Sequence, residues 1–417
     1  MIIEIRAKNC YAFNEQITFS MKADMRNKKF ASNVHKEQNF NVLKTAGIYG
    51  PNNSGKTCLV KCIRDIKNVL LNKGNSLYHN FFNESDLCEL GVTFLSAGRK
   101  FSYDFKYAFT KKEYLFESFK EILKDQYGNE KEVSWLKRDS INGEYECDDE
   151  NLKNMMSVMT NNNILVHLID TSKFEKLDEM KRLLTSFAAK IDIITMNNIP
   201  MEHTIELMKN KNNKQEKVVE FIKNADLYMD NFEYVEMDKI LFDIAKDEGI
   251  PDEKVLSIPE ESLDKIRLVS TYKGVPVPSL LFDSTGTKKM AALASYVIDA
   301  LEDGRILVID ELDSSLHFKL TRAIVSMFNN ELNDDSQLIF TVHDINLMDC
   351  KRLFRKEQIW FVDKDDAGVY VYSLADFTAE DGVRDTSDII EKYRKGAFAA
   401  LPEPELINTL LSIKENI

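Results

Sequence analysis

The stretch TAGIYGPNNSGKT, Thr45 to Thr57, decides the fold. TAGIY (45–49) predicts a short apolar β-strand. It runs directly into Gly50-Pro51-Asn52-Asn53-Ser54-Gly55-Lys56-Thr57, a full match to the phosphate-loop pattern G-x-x-x-x-G-K-[ST]. CLVKCIRDIKNVLL (58–71) then predicts a helix from about Lys56 to Leu71. Strand, glycine loop and helix in this order form a cradle for phosphate: glycines let backbone N–H groups close around the oxygens, and the helix N-terminus adds a positive dipole end. Gly50, Asn52, Asn53, Ser54, Gly55, Lys56 and Thr57 are therefore candidate nucleotide-binding residues. Lys56 is placed to reach the β- and γ-phosphates, and the Thr57 hydroxyl to ligate Mg²⁺.

A second stretch, RILVIDE (305–311), is an apolar run ending in two acids. Parallel sheets bury such strands on both faces and bind ligands at the strands' carboxyl ends. Asp310 is thus placed to hold Mg²⁺, and Glu311 to polarise an attacking water. From about residue 275 to 377 helix patterns alternate with apolar strands, the mark of a parallel sheet.

Further motifs carry a resemblance. DSTGTKK (283–289) resembles the signature of ABC-type ATPases, with Ser284 and Gly286 at its serine and second-glycine positions. It departs from that signature at Thr285 and Thr287. A helix-capping role for Ser284 is the plainer reading. The resemblance implies instead that this helix start faces the γ-phosphate bound by another subunit, in a head-to-tail sandwich. It also implies that Asp313 is the D-loop aspartate and that His343, ending QLIFTVH (337–343), is a γ-phosphate-sensing switch histidine. The chain resembles the RloA-like bacterial ATPases, related to RecF, SMC and OLD heads, through NCYAF, FDSTGTKKMAAL, VIDELDSSLH, QLIFTVHD, QIWFVDKD and YRKGAFAALP. In the last motif Ala397 and Ala399 replace the arginine and glycine of that branch. No Q-loop glutamine is evident; in SLYHNFFNES (76–85) Asn80 or a neighbouring backbone group is the stand-in.

What the resemblance implies is an α/β P-loop NTPase: an ABC-type head with a β-rich N-terminal lobe and an inserted helical subdomain. The catalytic set is Glu311, His343 and Lys56, with ATP and Mg²⁺ as cofactors. Partners are a second copy (a homodimer or higher oligomer of ATP-sandwiched heads) and a separately encoded effector of an anti-phage defence system. The alternative is a RecF- or SMC-like ATPase that clamps DNA, so nucleic acid stays open as a partner. A nuclease built on Asp363, Asp365 and Asp366 is less favoured, because VDKDDAG reads as a hairpin turn.

The organisation expected is residues 1–123 as the first half of the head, 124–230 as a mostly helical insert, 231–377 as the second half and 378–417 as a helical tail. Residues 1–20 read as two strands around a turn. Residues 22–44 are basic and read as a solvated loop, a short helix or a phosphate-contacting edge. Strands are expected at 231–238 and 265–274. MKNKNNKQEK (208–217) reads as a loop tip, solvated or touching nucleic acid.

The chain has 417 residues, 44% of them hydrophobic and 29% charged, enough apolar material to exclude a wholly disordered chain. The 55 basic and 68 acidic residues leave a net charge of −13, which disfavours a generic polyanion binder without excluding a local basic groove. The six cysteines form no C-x-x-C pair, so a zinc knuckle is not expected, and their pattern fits a reducing cytosol. The N-terminus lacks the pattern of a signal peptide, and no apolar run is long enough to span a membrane. A cytoplasmic location with no membrane partner is the resulting expectation.

Overall fold

The computed structural model describes residues 1–401 except 38–39, 126, 211–212, 226–227, 236–258, 367 and 385–386, together with Leu406, Thr409 and Ile413. β1 (Ile2–Lys8) and β2 (Ile17–Ser20) form the expected antiparallel pair. β3 (Val34–Glu37) and β4 (Phe40–Leu43) form a hairpin where a loop or short helix was expected. Val34, Phe40, Val42 and Leu43 are buried there, so an apolar face outweighs the surrounding lysines. β5 (Thr45–Tyr49) is buried throughout and precedes the helix Lys56–Leu70.

Five long or edge strands follow in meander order: β6 (Leu87–Ser96), β7 (Arg99–Ala108), β8 (Glu113–Lys124), β9 (Glu130–Asp139) and β10 (Glu144–Cys147). With the N-terminal pair they build a seven-stranded antiparallel sheet in the order β10-β9-β8-β7-β6-β1-β2. Its inner face carries Phe94, Phe101, Tyr103, Phe105, Phe119 and Leu136. Its outer face is charged and internally matched: Arg6 with Glu4 and Asp104, Lys100 with Glu130, Lys106 with Glu89, Lys120 with Glu132. This corrects the start of the expected helical insert at residue 124. β9 and β10 continue the sheet, and the run Glu130-Lys131-Glu132 hid a strand because charges there pair across strands rather than line a helix. Helices of the insert begin only at Glu150, with Glu175–Ala189 packing Leu177, Met180, Leu184 and Phe187 inward.

The second sheet has the order β11-β15-β16-β5-β17-β18, built from β11 (Ile191–Thr195), β15 (Ile306–Asp310), β16 (Gln337–Thr341), β17 (Ile359–Lys364) and β18 (Val369–Ser373) around β5. Its first five strands run parallel; β18 lies antiparallel beside β17. Successive residues alternate between two cores, as strand geometry requires. Ile306, Val308, Ile339 and Val362 face the Lys56–Leu70 helix and the antiparallel sheet. Leu307, Ile309, Leu338, Phe340 and Phe361 face the helices Thr285–Asp303 and Phe318–Phe328.

A smaller sheet of β12 (Asn231–Tyr234), β13 (Leu268–Tyr272) and β14 (Val275–Pro278) packs with the helices Glu202–Lys209 and Asn213–Asn224 into a third cluster against the Thr285–Asp303 helix. The strand expected from 265 begins at Leu268, after the helix Glu260–Arg267. The strand expected over 231–238 ends at Tyr234, and its last residues lie outside the described ones. Asn213 onward is helix rather than loop tip. YRKGAF is a structural clasp: Tyr393 and Phe398 stack on Phe361, with ring centroids 5.7 and 5.6 Å away. The helical tail is described at Ile389–Arg394; the helix expected beyond residue 401 lies mostly outside the described residues.

The architecture is thus the α/β P-loop head expected from the sequence. A β-rich N-terminal lobe sits on one face of a split parallel core, and helices are inserted between the two halves of that core.

Candidate functional site

The phosphate loop joins β5 to the Lys56–Leu70 helix at the carboxyl end of the parallel sheet. Gly50 has φ +150°, and a Cβ there would lie 2.1 Å from the carbonyl oxygen of Val362, so only glycine fits where the loop crosses β17. Lys56 is nearly buried, and its Nζ donates to the carbonyls of Gly50 and Pro51 at 2.7 and 2.8 Å. Burial pushes its pKa down, against the opposing pull of Asp310, Glu311 and Asp313. The ammonium is therefore held over the loop with carboxylates beyond it. The buried Ser54 hydroxyl, which lies beside Gly50, has no hydrogen-bond partner.

Asp310 ends β15 and is buried. Thr57 Oγ1 donates to its Oδ2 at 3.0 Å, and Thr341 Oγ1, at the end of β16, donates to its Oδ1 at 2.6 Å. The same Thr341 hydroxyl accepts from the backbone N–H of Glu311 at 2.7 Å. Glu311 has φ +59°, a left-handed conformation that costs a non-glycine residue on the order of 1–3 kcal/mol and persists where neighbours over-determine it. Here the neighbours are Thr341 and the bond from Leu312 N to Thr341 O at 3.0 Å.

One cavity of about 290 Å³ brings together Asn52, Asn53, Ser54, Gly55, Lys56, Thr57, Asp310, Glu311, Thr341 and His343. The adjoining cavity is larger, about 860 Å³, and shares Ala12, Cys58, Lys61 and Lys364 with the first. Tyr11, Tyr78, Phe81 and Phe82 line it. The donor set suits Mg²⁺: one carboxylate and one hydroxyl, both hard oxygens, leave the ion to complete its shell with phosphate and water.

Three expected site residues lie elsewhere among the described residues. Ser284 is exposed at the start of the Thr285–Asp303 helix and caps it, accepting from Thr287 N at 3.2 Å. Gly286 packs against the loop after Glu311: a Cβ there would lie 3.0 Å from Ser315 O. Asp313 accepts from the backbone N–H groups of His343 and Asp344 at 2.9 and 2.7 Å, which fixes the segment carrying His343. Asp283 anchors the helix start to β13 of the small sheet through Ser270 and Tyr272, at 2.6 and 2.8 Å, and also accepts from Ser279 at 2.7 Å.

Two residues that the sequence reading missed are Thr341 and Asn197. Asn197 follows β11, and its side-chain N–H donates to the Glu311 carboxylate. Both lie at carboxyl ends of core strands, and that position rule was the available signal. Asn80, the stand-in suggested earlier, has its amide engaged by Tyr11 O at 3.0 Å and Phe82 N at 2.9 Å, outside the phosphate cavity. Asp363, Asp365 and Asp366 sit in and beside the β17–β18 turn, where Asp365 accepts from Gly368 N at 3.0 Å. Among the described residues no group of three or more His, Cys, Asp or Glu is placed to hold a metal by itself, and no helix is long and apolar enough to cross a membrane.

Residues 181–349, less than half of the chain, match the family model described as "AAA domain, putative AbiEii toxin, Type IV TA system". No curated protein matches. Among solved structures, the SMC head domain from Thermotoga maritima aligns with TM-score 0.41 and 12% identity over 89% of this chain and 98% of that one. An Smc head bound to the C-winged helix domain of ScpA aligns with TM-score 0.41 and 14% identity, over 89% of this chain and 97% of that one. An Smc head with an extended coiled coil, bound to the C-terminal domain of ScpA from Pyrococcus furiosus, aligns with TM-score 0.40 and 13% identity, over 94% and 99%. At such scores these likenesses carry no weight for function; the matched model covers the segment from the Glu175–Ala189 helix through the motifs Ser284, Asp310, Glu311 and His343.

Proposed function

We propose that this chain binds ATP with Mg²⁺ and hydrolyses it to ADP and phosphate, acting as an ABC-type switch that works in pairs. The observation that carries the reading is the single cavity lined by the phosphate loop, Asp310, Glu311 and His343. Phosphates would lie on the N–H groups of residues 52–57 under the Lys56 ammonium, and the base and ribose in the aromatic-lined cavity beside them. Mg²⁺, held by Thr57 and Asp310, supplies charge neutralisation on the phosphate oxygens. Glu311 takes a proton from the attacking water, and Lys56 and His343 stabilise charge on the transferring group. Pairing is supported by the exposure of Ser284 at a helix N-terminus outside its own chain's cavity, where it is available to a second copy's γ-phosphate. By resemblance, the role is that of a cytoplasmic sensor in an anti-phage system that holds or releases a separately encoded effector.

ATP turnover per protomer across a dilution series tests the reading, with mass in solution measured alongside. Activity that rises with concentration, or stays flat in a preformed dimer, is expected. The Glu311→Gln variant should bind ATP, accumulate as a dimer and lose turnover. Wild-type turnover in that variant would remove Glu311 from its role, and turnover by a persistent monomer would refute pairing. Stimulation by added DNA, lost as salt rises, would favour the DNA-clamping reading instead.

A further inference from the structure

Lys289 lies five residues after Ser284 on the Thr285–Asp303 helix, and its surroundings are unusual for a half-buried lysine. Among the described residues it forms no ion pair. Its Nζ donates instead to neutral oxygens: Ser315 Oγ at 3.1 Å, Ser314 Oγ at 3.2 Å, Ser314 O at 3.4 Å and Asn197 Oδ1 at 3.5 Å. Ser314 Oγ donates to the same Asn197 Oδ1 at 2.8 Å. The ammonium can only donate, so it favours the amide oxygen on its side of Asn197, and the Ser314 hydroxyl donates to the same oxygen. The opposite end of the amide must then present N–H groups, and one of these meets the Glu311 carboxylate. Ser314 N also donates to Glu311 O at 2.9 Å, closing the turn that holds Glu311 and Ser315 in left-handed conformations, with φ +59° and +66°.

We propose that Lys289 is a positioning residue that couples the Thr285–Asp303 helix to Glu311 of the same chain, through Asn197 and Ser314. The inference rests on the ATPase reading given above. The coupling follows from stiffness and closeness. Five helical residues span about 7.5 Å, so a shift imposed at Ser284 reaches Lys289 within one rigid element. Gly286 packs closely against Ser315, where a Cβ would lie 3.0 Å from the Ser315 carbonyl oxygen, so the same shift bears on the loop that carries Glu311. When the helix start engages a ligand, Lys289 moves with it, and Asn197 and Ser314 redirect the carboxylate. A lysine serving packing alone would need no polarity-matched amide between itself and the acid.

The test compares steady-state ATP turnover of the wild type, Lys289→Met, Lys289→Arg, Asn197→Ala and the Lys289→Met/Asn197→Ala double variant, each with saturating Mg²⁺. For Lys289→Met we expect kcat to fall about tenfold or more, as for loss of a charge-assisted hydrogen bond, with KM for ATP changed less than about twofold. Lys289→Arg should recover most of kcat. The double variant should fall no further than the worse single one, because both residues act along one path. Unchanged kcat in Lys289→Met, a loss that resides in KM, no recovery with arginine, or losses that multiply in the double variant would each overturn the proposal. Absence of turnover in the wild type would instead sink the ATPase reading on which it stands, so the two failures are distinguishable.

Discussion

Thr341→Val is the substitution that separates geometry from packing at this site. Thr341 is fully buried, and valine matches its shape while deleting one hydroxyl. That hydroxyl makes two bonds: it donates to Asp310 at 2.6 Å and accepts from the Glu311 N–H at 2.7 Å. A hydrogen bond to a charged group contributes about 1.5–3 kcal/mol, and an orphaned buried N–H costs about 1–3 kcal/mol. The folded state should therefore lose about 2.5–6 kcal/mol, read as a lower urea midpoint at an unchanged slope. The functional loss is expected to exceed what stability alone predicts. Without Thr341 the left-handed turn at Glu311 is held by fewer contacts, and misplacement of a catalytic group by about 1 Å can cost about a hundredfold in rate. kcat should fall about 10- to 100-fold under conditions where the variant remains folded, while ATP binding through Lys56 and the loop persists. A Thr341→Val protein with native midpoint and native kcat would refute the claim that this hydroxyl sets the positions of both acids.

Two further outcomes follow from the same geometry. Lys56→Ala should abolish ATP binding in equilibrium titration; tight binding retained by that variant would sink the phosphate-loop assignment. Asp299 gives a pH dependence: burial would raise its pKa, but His203 and Lys214, which donate to it at 2.8 Å, outweigh burial and hold it below the usual carboxylate value. A carboxylate whose pKa is lowered by folding contributes fully above its unfolded value, about 3.9, and loses that contribution as pH falls through the folded value. The contact of Glu202–Lys209 and Asn213–Asn224 with the Thr285–Asp303 helix should therefore weaken below pH about 4. Asp299→Asn should flatten the acid limb of the urea midpoint plotted against pH, and an identical limb in both proteins would refute this.

The parts of the fold written in strict patterns were legible in the sequence. TAGIYGPNNSGKT and RILVIDE placed β5, the loop, the helix after it and β15, because an apolar run ending at a glycine loop or an acid pair has few structural solutions. What escaped was coded by partners distant in the chain. β9 looked polar because the lysines that neutralise Glu130 and Glu132 lie on β7 and β8. Asn197 is one asparagine in an Asn-rich region, and only the pairing of β11 with β15 brings it to Glu311. Asp313 was assigned a role by motif position, whereas its contacts with the His343 segment come from the side-by-side placement of β15 and β16.

The order of strands in the core sheet sets a timetable for making this protein. β5 sits between β16 and β17, and roughly 290 residues separate Tyr49 from Gln337. At about 5–20 residues per second a ribosome needs about 15–60 s to cross that interval. The antiparallel meander from β6 to β10 has local partners and can form as it emerges. The phosphate loop cannot: its strand waits, apolar on both faces, until both neighbours exist. A nascent or truncated chain therefore carries the loop sequence without a nucleotide pocket, and its apolar β5 stays without its sheet partners until the last part of the core is made.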